Sequence, residues 1–259
     1  MIESSVVIQD IKMDYVCFGK GNIPLVIIPG LSLNRVKGFG FSLWYMYRMF
    51  AKEYKVYIFD RKDVVKEGYS IQDMANELAL AMKKLQIANA CVFGVSQGGM
   101  IAQYLAIDYP ELVSKMILGV TCARYNEFVS EAIDTWIELL HKDMKLFVED
   151  MLKRMYSTEY VRKNGWVFPL ISKLYKHVDK KRFEILAKAC LTCDCYDELS
   201  KITCPVLVLG GKEDKVVGVE GSLELIEKLK CEYYLYDNYG HSAYEEAKDF
   251  NQRIYTFLK

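Results

Sequence analysis

The chain has 259 residues, and its 34 basic side chains are balanced by 34 acidic ones. This length fits one α/β domain with an insertion, and the balance of charge argues against nucleic acid as a partner. No apolar run approaches the roughly 18 residues that a membrane span needs, so we expect no membrane partner either. The start of the chain lacks the basic and apolar regions of a signal peptide, and the eight cysteines then indicate reduced thiols in a cytoplasmic protein.

The first part of the chain alternates between strand and helix patterns. The predicted elements are strands at residues 5–9, 13–18, 24–28 and 54–59 and a helix at 42–53. The first two strands should form an antiparallel hairpin, whereas the third is apolar throughout, as expected of a strand buried on both faces. Farther along, Ser70 and Asp73 have the spacing of a capping box at the start of a helix.

Residues 90–101 carry the most specific motif in the sequence. A short apolar run enters the turn Gly94-Val95-Ser96-Gln97-Gly98, and the residues after the turn are apolar at helical spacing. A strand, a sharp turn and a helix in this order hold the serine in a strained conformation, with its hydroxyl exposed above the strand end. Glycines are needed at positions 94 and 98 because side chains there would collide where the strand and the helix cross.

The pattern changes after a buried strand that is predicted at residues 113–120. No strand is predicted from residue 121 to residue 199, and this segment indicates three to five helices. Helices inserted between two strands of an alternating chain indicate a cap over the strand ends, so we expect a core of residues 1–120 and 200–259 and a helical cap at 121–199. The aromatic and methionine side chains of the cap should form its own core, and the alternative is that some of them line an apolar substrate pocket.

Strands return in the last part of the chain. The predicted elements are strands at residues 205–209 and 232–236 and helices at 220–229 and 242–258. Alternation of this kind specifies an α/β fold with a mostly parallel sheet that helices cover on both faces. Ser242 and Glu245 have capping-box spacing and should open the last helix.

A serine hydroxyl is a weak nucleophile near neutral pH, and it needs a base and a carboxylate that orients the base. Of the three histidines, His141 and His177 lie in the predicted cap, whereas His241 directly follows the last strand and is the predicted base. The loop after the preceding strand offers two candidates for the carboxylate, Glu213 and Asp214.

The serine turn resembles the nucleophile elbow of the α/β-hydrolase family, and the resemblance extends over nearly the whole chain. The resemblance favours Asp214 over Glu213, because the sequence reads Gly-x-x-Asp before a pair of valines. It implies a catalytic triad of Ser96, Asp214 and His241, which follow one another in the order typical of this fold.

The resemblance also implies an oxyanion hole formed by the backbone N–H groups of Leu31 and Gln97. Pro29 stands where the family often has a histidine, but a backbone donor requires no particular side chain. Asp60 and Arg61 resemble the family's Asp-x-Arg-Gly loop without its glycine, and we interpret Asp60 as structural.

Two further groups of residues allow more than one interpretation. Cys190, Cys193 and Cys195 have a C-x2-C-x-C spacing, but no fourth cysteine or histidine lies beside them, so thiols at a helix end are favoured over a metal site. Arg35 or Lys37, in the loop before the first helix, are candidates for contact with an anionic group of a substrate. A solvated loop is the alternative that we favour.

Together these patterns predict an enzyme that hydrolyses an ester or a related acyl bond of a small, apolar substrate through an acyl-Ser96 intermediate. No metal and no organic cofactor is expected. Lactonases, C–C hydrolases, thioesterases and cofactor-free perhydrolases use the same triad, and these alternatives stay open. A small-molecule binding protein of the same fold, with little or no turnover, is the alternative from another class. The oligomeric state is left open.

Overall fold

The computed structural model describes residues 1–175 and 178–259, apart from the side chain of Leu174. The prediction that places His177 in the cap therefore lies outside the described residues. Among the residues that are described, no helix combines the length and the apolarity that crossing a membrane requires.

One eight-stranded sheet forms the centre of the fold. Its strands are β1 (Ile2–Ile8), β2 (Ile11–Phe18), β3 (Ile23–Ile28), β4 (Tyr54–Lys62), β5 (Ala90–Val95), β6 (Val113–Gly119), β7 (Val206–Gly211) and β8 (Glu232–Tyr236). Their order across the sheet is β1-β2-β4-β3-β5-β6-β7-β8. β2 pairs antiparallel with both β1 and β4, and all other neighbours are parallel. The predicted α/β class with a mostly parallel sheet is confirmed.

Helices cover both faces of this sheet. The helices of the described chain are α1 (Gly40–Tyr47), α2 (Ile71–Lys84), α3 (Gln97–Asp108), α4 (Glu127–Lys142), α5 (Met144–Met155), α6 (Thr158–Asn164), α7 (Phe168–Ile171), α8 (Lys180–Ala189), α9 (Gly218–Leu229), α10 (Ala243–Glu246) and α11 (Phe250–Leu258). Of these, α4 to α8 lie in the segment between β6 and β7. Short 3-10 turns lie at Arg48–Lys52, Pro110–Leu112, Gly165–Val167, Ser172–Tyr175, Cys190–Thr192 and Tyr196–Lys201.

The central strand β5 shows why two helical layers form. Successive side chains of a strand point to opposite faces of the sheet. Val92 belongs to the apolar core that includes α2 and α3, whereas the ring of Phe93 lies 6.2 Å from the rings of both Tyr47 and Phe250 on the other face. Every residue of β5 is buried. Because the strand is apolar at each position, both of its faces have to be covered by other parts of the chain, and the two helical layers provide this cover.

The two predicted capping boxes have different outcomes. The Ser70 hydroxyl accepts a hydrogen bond from the Asp73 N–H at 3.0 Å, and the Asp73 carboxylate accepts one from the Ser70 N–H at 2.9 Å, so this box is confirmed. The box predicted at Ser242 is wrong, because the Ser242 side chain caps nothing and Glu245 accepts a hydrogen bond from the Tyr156 hydroxyl instead. The single last helix is also wrong, since the chain forms the separate helices α10 and α11.

Residues 121–199, called the inserted segment below, lie between β6 and β7. Their described part contains the five helices α4 to α8, in agreement with the predicted three to five. Strand-like pairing within it is confined to one bridge between Arg124 and Asp194. The described part of the inserted segment is therefore helical and contributes no strand to the sheet.

Gly98→Ala is expected to lower the free energy of unfolding by about 3 kcal/mol or more. A β-carbon at position 98 would overlap the Ile28 carbonyl. A β-carbon at position 94 would likewise overlap the Gly98 carbonyl, so the predicted need for glycine at both positions is confirmed. Equilibrium unfolding in urea measures the change. Gly165→Ala is the control, because the nearest atom to a β-carbon there is a Val161 methyl carbon at 3.8 Å. Equal stability of the two variants would contradict the expected clash.

Candidate active site

Three predicted site residues meet at the carboxyl edge of the sheet. Ser96 follows β5, Asp214 lies in the loop after β7, and His241 lies in the loop after β8. His241 Nε2 is 2.8 Å from the Ser96 hydroxyl oxygen, and His241 Nδ1 is 2.9 Å from Asp214 Oδ2. Parallel strands end at the same edge of the sheet, so a serine, a histidine and a carboxylate from distant parts of the chain form one hydrogen-bonded series. This is the arrangement that a serine nucleophile, its base and an orienting acid require.

The backbone of Ser96 is strained, as predicted. Its φ of 53° and ψ of −121° lie outside the regions that a residue with a side chain normally adopts. The Ser96 N–H donates to the Gly119 carbonyl at 2.9 Å, and the Ser96 carbonyl accepts from the Thr121 hydroxyl at 2.7 Å. These contacts hold the turn on both sides, so the hydroxyl is presented in one position.

Of the two candidate carboxylates, Asp214 is the one that contacts the base. Its Oδ1 accepts hydrogen bonds from the N–H groups of Val216 at 2.8 Å and Val217 at 3.0 Å, which leaves Oδ2 for His241. The carboxylate of Glu213 is directed elsewhere and accepts a hydrogen bond from the Thr158 N–H at 3.3 Å. The loop after β7 thus separates the two neighbouring acids.

The inserted segment holds the loop that carries the base. The Ser242 N–H, next to His241, donates to the Met155 carbonyl at 2.7 Å. Nearby, the N–H and the hydroxyl of Ser157 donate to the Glu246 carboxylate at 2.9 and 2.6 Å. The position of His241 therefore depends on a tertiary contact, where the sequence had suggested a local capping box.

The two predicted oxyanion donors lie on either side of the nucleophile. Leu31 lines the same cavity as Ser96. Gln97 is the first residue of α3, so its N–H has no acceptor within the helix.

The side chain of Gln97 has a role that the sequence interpretation missed. Its Oε1 accepts a hydrogen bond from Arg61 Nη2 at 2.9 Å, and its Nε2 donates to the Leu186 carbonyl at 2.6 Å. Nε2 also lies 3.2 Å from the sulfur of Cys190. A glutamine at the start of a buried helix is a sign that its side chain is hydrogen-bonded within the protein, and Gln97 is only 1 % exposed. The sequence could not identify its partners, because they come from distant parts of the chain.

Asp60 is structural, as predicted, although it lies within β4 instead of in the loop after it. Its carboxylate accepts hydrogen bonds from Arg35 Nε at 2.6 Å, from the Arg61 N–H at 2.7 Å and from Arg182 Nη2 at 3.3 Å. Burial lowers the pKa of Arg182, and the neighbouring Arg35 lowers it further. Asp60 therefore joins the end of β4 to α8 of the inserted segment.

A small cavity of about 40 Å³ opens at the Ser96 hydroxyl, and we call it the acyl cavity. Much of its wall comes from apolar side chains of the inserted segment, among them Val129, Ile133, Trp136, Met151, Met155 and Phe183. Of the two interpretations of these side chains, the one in which some of them line a pocket therefore agrees with the structure. The wall leaves an apolar environment around the nucleophile.

The remaining candidate residues lie outside this arrangement. His141 Nε2 is 2.9 Å from a Glu184 carboxylate oxygen, on an exposed face of the inserted segment. The thiols of Cys193 and Cys195 each lie 3.4 Å from the Ala123 carbonyl oxygen. Burial raises the pKa of Cys190 to about 11, which keeps that thiol neutral. Within residues 1–175 and 178–259, no group of three or more Cys, His, Asp or Glu side chains is placed to hold a metal ion.

Comparison with known protein families matches residues 23–248 to the family described as alpha/beta hydrolase fold. This range contains Ser96, Asp214 and His241 and covers well over half of the chain. The family is one of hydrolase enzymes, and the fold is the one that its description names. The chain belongs to the α/β-hydrolase family.

Relatives with different activities resemble the chain over nearly its full length. 3-Oxoadipate enol-lactonase 2 of Acinetobacter baylyi is 22% identical over 97% of this chain and 94% of its own length. A 2-hydroxy-6-oxononadienedioate/2-hydroxy-6-oxononatrienedioate hydrolase of Burkholderia vietnamiensis is 27% identical over 96% of this chain and 92% of its own length. The solved structure of an enol-lactonase from Burkholderia xenovorans superimposes with a TM-score of 0.84 at 22% identity, over 98% of this chain and 99% of that one. Structural likeness at this identity shows the fold alone.

Proposed function

We propose that this protein is a serine hydrolase that cleaves an ester or a related acyl bond of a small substrate through an acyl-Ser96 intermediate. The observation that carries the proposal is the hydrogen-bonded chain from the Ser96 hydroxyl through His241 to Asp214, with distances of 2.8 and 2.9 Å. Such a chain supplies what an unactivated serine lacks, namely a base in contact with its proton and a carboxylate that orients the base.

The proposed reaction proceeds in two halves. His241 Nε2 accepts the proton of Ser96 as the serine oxygen attacks the acyl carbon, and the N–H groups of Leu31 and Gln97 stabilise the negative oxygen that forms. His241 then returns the proton to the leaving alcohol, which departs as the acyl-Ser96 ester forms. Water attacks that ester by the same steps, and the acid product leaves with the serine restored.

We further propose that the inserted segment acts as a cap over this site. Its apolar side chains in the wall of the acyl cavity support a substrate that is small and apolar around the reacting carbonyl. The reaction uses only side chains, backbone amides and water, so the proposal includes no metal, organic cofactor, nucleic acid or membrane. The eight free cysteines, six of them buried, support a cytoplasmic location.

Two alternatives within the same chemistry have support from the relatives. One full-length relative is an enol-lactonase and another is a hydrolase of a 2-hydroxy-6-oxo acid, so a lactone or a C–C bond beside a carbonyl is a second candidate substrate. Thioesterase and perhydrolase activities rest on the triad alone. A binding protein without turnover is the remaining alternative, and it leaves the hydrogen bond between His241 and Ser96 without a function.

A fluorophosphonate probe is expected to label the folded wild-type protein at Ser96 and to leave Ser96→Ala unlabelled, because only an activated serine reacts rapidly with such a probe. Mass spectrometry of the intact protein and of its peptides detects and locates the adduct. Heat-denatured wild-type protein serves as the control for non-specific reaction. A folded wild-type protein that stays unlabelled would support the binding-protein alternative.

The bond type is then determined with a series of chromogenic esters of increasing acyl length, assayed beside lactones and thioesters. The narrow acyl cavity leads us to expect that short acyl groups are cleaved with the highest kcat/KM. A lactone cleaved faster than every ester would select the lactonase alternative.

A further inference from the structure

A second and larger cavity lies beside the acyl cavity. Its volume is about 410 Å³, against about 40 Å³ at Ser96. Gly30 and Phe183 line both cavities, so the two spaces are immediate neighbours. The larger one, called the basic cavity below, lies between the loop that follows β3 and the beginning of α8.

The lining of the basic cavity carries an excess of positive charge. Its cationic side chains are Arg35, Lys37, Arg61 and Arg182, and its acidic ones are Asp60 and Asp179. Asp60 is shared between Arg35 and Arg182, and Asp179 caps α8 by accepting the Arg182 N–H at 2.9 Å. Asp63 and Asp14, which are not part of the lining, give Arg35 two further carboxylates. Among the described residues, no carboxylate pairs with the guanidinium of Arg61 or with the ammonium of Lys37.

Arg61 is the unusual member of this group. The residue is only 6 % exposed, and its Nη2 donates to the Pro29 carbonyl at 2.6 Å and to Gln97 Oε1 at 2.9 Å, which are both neutral acceptors. Its Nε is buried and has no hydrogen-bond partner in the described chain. Burial lowers the pKa of Arg61, and a guanidinium nevertheless keeps its charge near neutral pH. Asp60 is close enough to favour the charged form but makes no ion pair with this guanidinium. A buried cation without an ion pair is costly for the fold, and a bound anion would offset part of that cost.

We propose that the basic cavity binds a carboxylate of the substrate, so that the substrate is an acyl compound with an anionic far end, such as a half ester of a dicarboxylic acid. This inference rests on the proposed function, because the scissile carbonyl has to lie at Ser96. Both hydrogens of Arg61 Nη2 are donated within the protein, so Nη1 is the part of the guanidinium that is left to donate to a carboxylate oxygen, beside the ammonium of Lys37. The apolar acyl cavity suits the chain near the carbonyl, and the basic cavity beyond Gly30 and Phe183 suits the charged end.

Gln97 connects the two parts of this extended site. It follows the nucleophile directly, its N–H is a proposed oxyanion donor, and its side chain holds the Arg61 guanidinium. Arg61 and Ser96 are therefore positioned through one residue at the start of α3. Arg61 and Lys37 determine which acyl substrate is preferred, whereas the triad determines that it is cleaved.

Two substrates that differ only at the far end test the proposal. 4-Nitrophenyl hydrogen glutarate carries a free carboxylate, and methyl 4-nitrophenyl glutarate carries the same group as a neutral methyl ester. The wild-type enzyme is expected to show a kcat/KM for the half ester that is about tenfold or more above that for the diester. Arg61→Gln and Lys37→Gln should reduce this preference, chiefly by raising KM for the half ester more than KM for the diester.

The controls separate charge from structure. Lys84→Gln removes an exposed lysine at the far end of α2 and should leave the preference unchanged. Arg61→Lys keeps the positive charge but loses the several N–H donors of the guanidinium, so it should retain part of the preference for the half ester. If Arg61→Gln fails to fold, Lys37→Gln still decides the question, because Lys37 is exposed and forms no ion pair with a described residue.

The outcomes distinguish this inference from the proposed function. Equal kcat/KM for the two substrates in the wild-type enzyme, or a preference that both Arg61→Gln and Lys37→Gln leave intact, would overturn the carboxylate site and leave the serine hydrolase standing. Cleavage of neither substrate, together with no fluorophosphonate labelling of Ser96, would overturn both.

Discussion

Ser96→Ala is expected to lower kcat by about 10³-fold or more while the protein keeps its fold. The Ser96 hydroxyl contacts the base at 2.8 Å, so its removal takes away the atom that would form the acyl intermediate. A backbone φ of 53° strains alanine and serine equally, so the substitution adds no backbone strain. The hydrogen bonds with Gly119 and Thr121 involve only the backbone of residue 96, so they are kept. Stability should therefore change little.

The measurement is the rate of ester hydrolysis at saturating substrate, together with thermal unfolding of both proteins. Ser200→Ala is the matched control, since it removes an exposed serine hydroxyl from the turn at Tyr196–Lys201. That variant should keep the wild-type kcat. Near-normal hydrolysis by folded Ser96→Ala would exclude residue 96 as the nucleophile.

Asp214→Asn is expected to lower kcat by about 10⁴-fold, as the loss of a triad carboxylate does in serine hydrolases. Asp214 Oδ2 accepts the hydrogen bond of His241 Nδ1 and stabilises the imidazolium that forms during catalysis. An amide at this position carries no charge, and its NH₂ group favours the wrong tautomer of the ring. The amide of the variant still has an oxygen for the N–H groups of Val216 and Val217, so we expect the loop to stay in place.

Glu213→Gln is the control for this prediction, because the neighbouring carboxylate contacts Thr158 of the inserted segment and not the base. Its kcat should stay within about threefold of the wild-type value, since only an exposed hydrogen bond is altered. Steady-state kinetics on one ester compares the two variants. The opposite pattern, with a severe loss at 213 and a mild one at 214, would transfer the role of the carboxylate to Glu213.

The triad residues illustrate what local sequence can predict. The serine turn is recognisable because its steric requirements are local, with Gly94 and Gly98 each facing a backbone carbonyl at short range. Buried parallel strands are recognisable for a similar reason, since each position faces an apolar layer and the run is apolar throughout. The loop after each strand must then end at one edge of the sheet, which is why Ser96, Asp214 and His241 could be predicted as a group.

The errors arose where a local pattern competed with a distant partner. Ser242 and Glu245 have the spacing of a capping box, yet Glu245 binds the Tyr156 hydroxyl and the Ser242 N–H binds the Met155 carbonyl. The loop that carries His241 is thus held by the inserted segment. No periodicity in residues 236–246 contains information about residues 155 and 156, whose partners Ser242 and Glu245 lie almost ninety positions later in the chain.

By itself, the sequence determined the class of fold, which follows from the alternation of strands and helices. It also predicted Ser96 and His241 as site residues from the strand ends that they follow, whereas Asp214 was chosen over Glu213 by the resemblance to the family. The tertiary structure alone decided what surrounds them. Arg35, Arg61 and Arg182 line one cavity only because the loop after β3, the end of β4 and the start of α8 meet beside Ser96. Packing then buries the Arg61 guanidinium against two neutral acceptors and without an ion pair, and this property belongs to the packed protein, since in the extended chain water would solvate the same side chain.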